Sequence, residues 1–469
     1  MLNGNGIMKK KSFEDLLADT QVEQYKLKKT LSVLDLVALG LGAIIGTGIF
    51  VLTGKAAAEY AGPALILSFI LAGLACTFAA ISYAELASMI PISGSLYSYS
   101  YVTLGEFAAW ISGWILILEY VFALPAIALG WSAYFTNLLA TFGINIPAWA
   151  THSALQGTGG VINLPAIVIL LIISTLVYIG TRESATVNNI AVAFKIFVVI
   201  FFILVGIGYI KPVNWKPFMP FGWKGVFSGA SFVFFAYLGF DAVSTAAEET
   251  KNPERDLPIG ILGSLGISTL LYILVVAILT GITSYTNLGT DAPMATAFAA
   301  IGLNWARGLV SIGALTAITT VLLVMTYGAT RIIFSMSRDG LVPPILSKLH
   351  PKFRTPSITI IFVAIVTSLT AGFLPINAIA EVVNMATMLA FLLISIAVII
   401  LRYTRPDLPR RFKAPGVPVT PILAIITMII LMFYLSKITW LVALVWLIIG
   451  IIFYFTYSRY NSKLQQQKG

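Results

Sequence analysis

Leu39-Gly-Leu-Gly-Ala-Ile-Ile-Gly-Thr-Gly-Ile-Phe50 lies inside an apolar run long enough to cross a bilayer, yet it carries glycine at 40, 42, 46 and 48. A membrane helix has to satisfy its own backbone, so irregular backbone at that depth is tolerated only where it is buried in protein or lines a cavity. Two readings are open. Gly42 and Gly46 have the spacing that lets a second helix approach closely. Alternatively, the helix opens at Gly46-Thr47-Gly48. A half-helix starting there presents free N–H groups and the positive end of its dipole, which make a seat for a carboxylate. A phosphate loop fits poorly, because the spacing from Gly48 to Gly54-Lys55 is one residue too long and Ala56 stands where a magnesium-binding hydroxyl is needed.

The surrounding composition sets the context. The chain is 58% hydrophobic and 10% charged, with a mean hydropathy of +0.94. Repeated apolar stretches of about 18 residues or more make it an all-α polytopic membrane protein. Cys76 is the one cysteine, so no intrachain disulfide can form. His152 and His350 lie in separate loops, which leaves no Cys/His cluster; neither a metal nor a cofactor is expected.

Twelve spans are expected, at 34–60, 63–89, 105–140, 163–181, 187–210, 226–247, 257–283, 303–336, 358–373, 379–402, 419–436 and 439–460. Residues 1–30 form a polar arm with Lys9-Lys10-Lys11, Lys26, Lys28 and Lys29, suited to lying along anionic lipid. It is no cleavable signal peptide, because no apolar core precedes Leu31. Residues 461–469 form a C-terminal tail. Twelve spans put both termini on one side, and with that side cytoplasmic 22 Lys/Arg fall inside and six outside: Lys55, Lys211, Lys216, Lys224, Arg307 and Lys437. That bias sets an N-inside orientation in the plasma membrane and accounts for the net charge of +10 without nucleic acid.

A second interruption sits in the sixth span, where Gly239 and Asp241 fall near the middle of 227–244. Five spans separate the starts of the two interrupted helices, and an odd offset inverts the second unit. Glycine-broken segments at corresponding places in two inverted halves point to a transporter site. The expected organisation is a first repeat at 31–210, a second at 226–402, and two further helices at 419–460.

Several ordered motifs carry a family resemblance. Gly42-Ala-Ile-Ile-Gly-Thr-Gly-Ile-Phe50 resembles the first-helix signature of amino acid–polyamine–organocation (APC) transporters. Tyr83-Ala-Glu-Leu86 with Pro91-Ile-Ser-Gly-Ser-Leu-Tyr97, the loop Glu248–Pro258, and Ser337-Arg-Asp-Gly340 resemble further motifs of that superfamily, in order. The chain is most similar to bacterial members related to the cationic amino acid transporter (CAT) subfamily. The resemblance implies the LeuT-type five-plus-five inverted repeat with helices 1 and 6 broken at the midplane.

It also implies roles. The substrate carboxylate would meet N–H groups near Thr47, Gly48 and Ile49, and its ammonium would meet carbonyls of Ile44, Phe235, Ala236 and Leu238. Phe235 is also a candidate gate. Ionisable residues deep in spans are functional candidates by default. They are Glu85, Glu119, Lys195 and Asp241. Glu85, near a span end, suits a structural pairing with a loop base. Glu119 lines the side-chain pocket or takes part in coupling, with structural hydrogen bonding as the alternative. Lys195 would place its ammonium where sodium-coupled members of this fold hold a cation, making the chain sodium-independent; it is either a titrating group or a permanent structural cation. Asp241 is an anchor for the unwound backbone or a partner in coupling. Met325 would border the pocket and shorten it, favouring small or medium neutral side chains.

The functional expectation is a secondary active permease for neutral L-amino acids, proton-coupled and working by alternating access. An exchanger and a transporter-like nutrient sensor are alternatives. A membrane-embedded enzyme would need a catalytic constellation at depth, and a channel would need a filter loop or charge ring. Protons, amino acid and membrane lipid are the expected partners.

Overall fold

The computed structural model describes residues 9–10, 29–90, 95–156, 159–180 and 185–466. Most of the N-terminal arm, the motif residues 91–94 and the tail residues 467–469 lie outside the described residues. Among the described residues the longer helices are, in chain order, α1 Val33–Ile44, α2 Leu65–Met89, α3 Glu106–Thr141, α4 Leu164–Ile179, α5 Ala185–Gly206, α6 Gly222–Val233, α7 Pro253–Ile282, α8 Asn304–Arg338, α9 Ser357–Phe373, α10 Ile376–Thr404, α11 Val419–Phe433 and α12 Lys437–Phe453. Eight helical stretches among the described residues are long and apolar enough to cross a membrane, and α1, α4, α9 and α11 are shorter apolar helices. One of the eight, Gly48–Met89, holds two helices, because Gly62 at φ +61° cannot continue a right-handed helix.

Local chemistry explains where α1 starts. Ser32 and Asp35 form a capping box: the Asp35 carboxylate accepts from the Ser32 amide at 2.9 Å, and the Ser32 hydroxyl faces the Asp35 amide. Asn189, at the start of α5, donates to the same carboxylate at 2.9 Å, so the entry of α1 is tied to α5. Glu85, at the end of α2, is buried and held from three sides. Arg402 of α10 grips it with two bonds of 2.7 Å, Arg410 lies 3.3 Å away, and the Ala414 amide donates at 2.8 Å. The loop base is thus two arginines, one on a helix end and one in the loop behind it.

The start of α3 gathers distant parts of the chain. Buried Glu106 accepts from Tyr101, Tyr454, Ser462 and Gln465, while its own amide donates to the Lys9 carbonyl. Lys9 in turn donates to the Leu464 carbonyl at 3.1 Å. In the centre of the bundle, α3 packs along α8 and α10, and α7 packs along α1 and α2.

The chain of the sixth helix leaves α6, passes through a tight turn at Phe234–Tyr237, extends at Leu238, and reverses at Gly239 with φ +107° before a last helical turn at Ala242–Thr245. A β-carbon at Gly239 would press on the Ala43 backbone at 3.0 Å. Gly239→Ala is therefore expected to cost roughly 1–3 kcal/mol through backbone strain, read as a lowered thermal unfolding midpoint of the purified protein. An unchanged midpoint would mean that the turn relaxes freely.

Candidate substrate and coupling site

The first helix does open. α1 ends at Ile44, Ile45 is extended at φ −78°, ψ 99°, and helical structure resumes at Thr47 as a wide turn over Gly48–Leu52. The amides of Ile49 and Phe50 both return to the Gly46 carbonyl, at 3.2 and 3.1 Å. Thr47 and Gly48 precede those first bonds, so their N–H groups belong to the unpaired start of the new half-helix. The close-approach reading of the glycines also has support. A β-carbon at Gly48 would collide with the Ala236 backbone, and one at Gly46 would meet Val321 of α8 at 2.9 Å. The two breaks thus touch each other directly.

Carbonyls at the breaks are taken up by side chains from neighbouring helices. Lys195, fully buried on α5, donates to Gly42 O at 2.7 Å, Ile45 O at 3.3 Å and the Thr320 hydroxyl of α8 at 2.9 Å. The Tyr272 hydroxyl of α7 sits 2.9 Å from Ile44 O and 2.9 Å from Ala236 O. It holds one proton, so it serves one break at a time and leaves the other carbonyl free to accept. The Asn384 amide of α10 donates to Ser231 O and Phe232 O, at 2.8 and 2.9 Å, where α6 runs out.

The remaining sequence-predicted residues fall around these two ends. Thr47 is buried and its hydroxyl points to Ile127 O of α3, 3.4 Å away. The Phe235 carbonyl accepts from the Leu238 amide at 3.2 Å, and both side chains are buried. Asp241 accepts from the Tyr120 hydroxyl at 2.9 Å. Glu119, one residue before Tyr120, is buried with neither carboxylate oxygen hydrogen-bonded; the neighbouring Thr387 hydroxyl donates to Val383 O instead. Met325 is buried one helical turn beyond Val321, on the face of α8 that meets Gly46.

Tyr272, Thr320 and Asn384 escaped the sequence reading. Each is a neutral polar residue in an apolar helix, and only ionisable groups were singled out at that depth. A wider net, cast for any amide or phenol within a span, would have caught Tyr272 and Asn384.

Two broken helices that touch inside a bundle of apolar helices, with eight stretches among the described residues long enough to cross a membrane, have the architecture of a membrane transporter. The comparisons specify the class further: the chain belongs to the amino acid permease family, which it matches over residues 31–454. It is 52% identical to the branched-chain amino acid permease BcaP of Bacillus subtilis (strain 168), covering 98% of this chain and 99% of that protein. It is 50% identical to the methylthioribose transporter of the same organism, covering 98% and 100%. Plant relatives are more distant; the vacuolar cationic amino acid transporter 4 of Arabidopsis thaliana is 36% identical over 86% of this chain and 68% of that protein.

Tyr272→Phe should separate the bridge from the fold. The ring contacts with Phe69 and Tyr237 would survive, but one buried carbonyl would lose its donor, at about 1–3 kcal/mol. The expected outcome is a modestly lowered unfolding midpoint and weaker substrate binding by calorimetry. Binding as tight as that of the unaltered protein would show that the hydroxyl does not hold the breaks in register.

Proposed function

We propose that this permease carries small to medium neutral L-amino acids across the plasma membrane by alternating access, driven by protons and independent of sodium. The observation that carries this reading is the Lys195 ammonium between Gly42 O, Ile45 O and Thr320, a fixed cation against the first helix break. In this position a bound sodium ion is redundant, and a proton on Lys195 becomes the coupled charge. The substrate carboxylate docks on the amide end at Thr47 and Gly48; the Ile49 amide beside them is taken by the Gly46 carbonyl. Its ammonium takes the carbonyl of Ile44 or Ala236 that Tyr272 leaves free, with Phe235 and Leu238 beside it. Glu119 and Asp241 supply buried carboxylates for the side-chain pocket or for proton relay.

Twelve crossings with both ends cytoplasmic are supported by the meeting of Lys9 with Leu464, since chain ends on one face require an even number of crossings. An inverted repeat is supported by the packing of α2 on α7, α3 on α8 and α4 on α9, each of which joins a helix to its counterpart five places on.

Met325 bears on substrate size. A buried thioether on the face of α8 that meets the break would shorten the pocket and favour small or medium neutral side chains. Met325→Ser should admit longer, including cationic, side chains. Removing that volume shifts discrimination by about 1–3 kcal/mol, so competition assays should show a broadened range, not a switch. An unchanged profile would remove Met325 from the pocket.

A second reading is favoured by one observation. Both oxygens of Glu119 are buried without donors, and the hydroxyls of a thioether sugar would satisfy them; a half-identical relative is named for methylthioribose. Competition of unlabelled methylthioribose against labelled branched-chain amino acids separates the two.

The coupling test uses purified protein in liposomes. An inward proton gradient should drive accumulation of a labelled neutral amino acid, and a sodium gradient should not. Lys195→Ala should abolish proton-driven accumulation while exchange of internal for external amino acid persists. Lys195→Arg should not restore it fully, because a guanidinium stays protonated and cannot cycle. Full accumulation by the alanine variant would remove Lys195 from coupling.

A further inference from the structure

A cavity of about 300 Å³ opens where α10 gives way to the loop before α11, lined by Arg402, Pro406, Leu408, Pro409, Arg410 and Lys413. It lies apart from the helix breaks, and nothing in the transport cycle proposed above uses it. Its charge is unbalanced. Glu85 is the one carboxylate that Arg402 and Arg410 share, so three lining cations stand against one anion. The other charges of the loop are engaged elsewhere: Arg405 pairs with Asp407, and Arg411 with Glu254.

The cations are held in different ways. Arg410 is braced by the carbonyls of Leu401, Arg405, Pro406 and Leu408, and its side chain is 4% exposed. It supplies a rigid, buried positive charge whose Nη1 and Nη2 donors are spent on those carbonyls. Arg402 turns Nε and Nη2 to Glu85, which leaves Nη1 outside that fork. Lys413 is exposed and forms no ion pair among the described residues. Nearby, burial and the Arg405 guanidinium hold the Lys10 ammonium below the usual lysine range, so positive potential extends to the N-terminal segment.

Position and shape narrow the occupant. The cavity begins in the last turn of a membrane-length helix, and exposed Tyr403 and Val419 flank it on the two helix ends. An exposed tyrosine at a span end marks the depth of lipid headgroups. Two cationic donors therefore sit beside an apolar wall of Pro406, Leu408 and Pro409 at the membrane border. A phosphate with a hydrocarbon body fits this better than a free ion does. We propose that the cavity binds the headgroup phosphate of an anionic phospholipid, and that the bound lipid cross-braces α2 and α10 through the arginines that hold Glu85.

The test titrates the purified full-length protein in detergent with phosphatidylglycerol, phosphatidylcholine or inorganic phosphate, and follows the thermal unfolding midpoint. Phosphatidylglycerol should raise the midpoint well above the effect of phosphatidylcholine. Lys413→Glu should raise the phosphatidylglycerol concentration for half effect by roughly tenfold or more, as expected for reversing a charge beside an anion. Lys413→Gln should do so in smaller measure, and serves if the glutamate variant folds poorly. Lys437→Glu, the same reversal at the far end of α12, should change nothing. Equal responses to the two lipids, or an unaltered titration in both Lys413 variants, would overturn the site. A full effect from inorganic phosphate alone would overturn the lipid as its occupant.

Discussion

Opening a helix inside a membrane strands backbone carbonyls where no water can meet them, at a cost of several kcal/mol for each one left unpaired. The core of this permease is arranged around that debt. Lys195 takes the carbonyls on one side of the first break, Asn384 takes those at the exhausted end of α6, and Tyr272 stands between the two breaks and serves either. These three residues come from α5, α10 and α7, so each break is held by helices outside itself. On the proposed binding mode, a substrate entering between the breaks would meet backbone that is already ordered. It would have only to supply charges of the right sign at the two ends.

Glycine has two jobs here that the sequence presents as alternatives. Gly48 touches Ala236 as a small residue at a helix contact would, and it also belongs to the amide end of the reopened helix. On the proposed binding mode the two would follow from one requirement, because a solute small enough to be an amino acid can be reached from both breaks only if the breaks are nearly in contact. Gly239 meets the same requirement from the other side, with a backbone angle that other residues avoid.

The parts legible in the sequence were those with a long-range pattern or a charge. Apolar runs located most of the longer helices to within a few residues; the expected spans 34–60 and 226–247 instead hold the two interrupted helices, whose breaks the glycine clusters marked. Short helices in the connections, Ser95–Thr103 and Pro293–Ala300, carry no run long enough to announce them. Lys195 stood out because a lysine in an apolar helix is costly. Thr320, which completes its set of oxygens, did not, because a threonine there usually returns its hydroxyl to its own helix, and this one also does so, to Ala317 O. Glu85 announced a need for a base. That the need is met by Arg402 and Arg410 together depends on a loop fold with no periodic signature.

The cation beside the first break is bonded to the chain. A dissolved ion in that position would come and go with the medium, and its occupancy would follow external salt. The Lys195 ammonium has no off-rate and no concentration dependence. It cannot be carried across the membrane, so on the proposed coupling only its proton would be exchanged between the two aqueous phases. On the coupling proposed above, this position would contribute at most one proton per turnover, set by covalent structure and not by the ionic composition outside the cell.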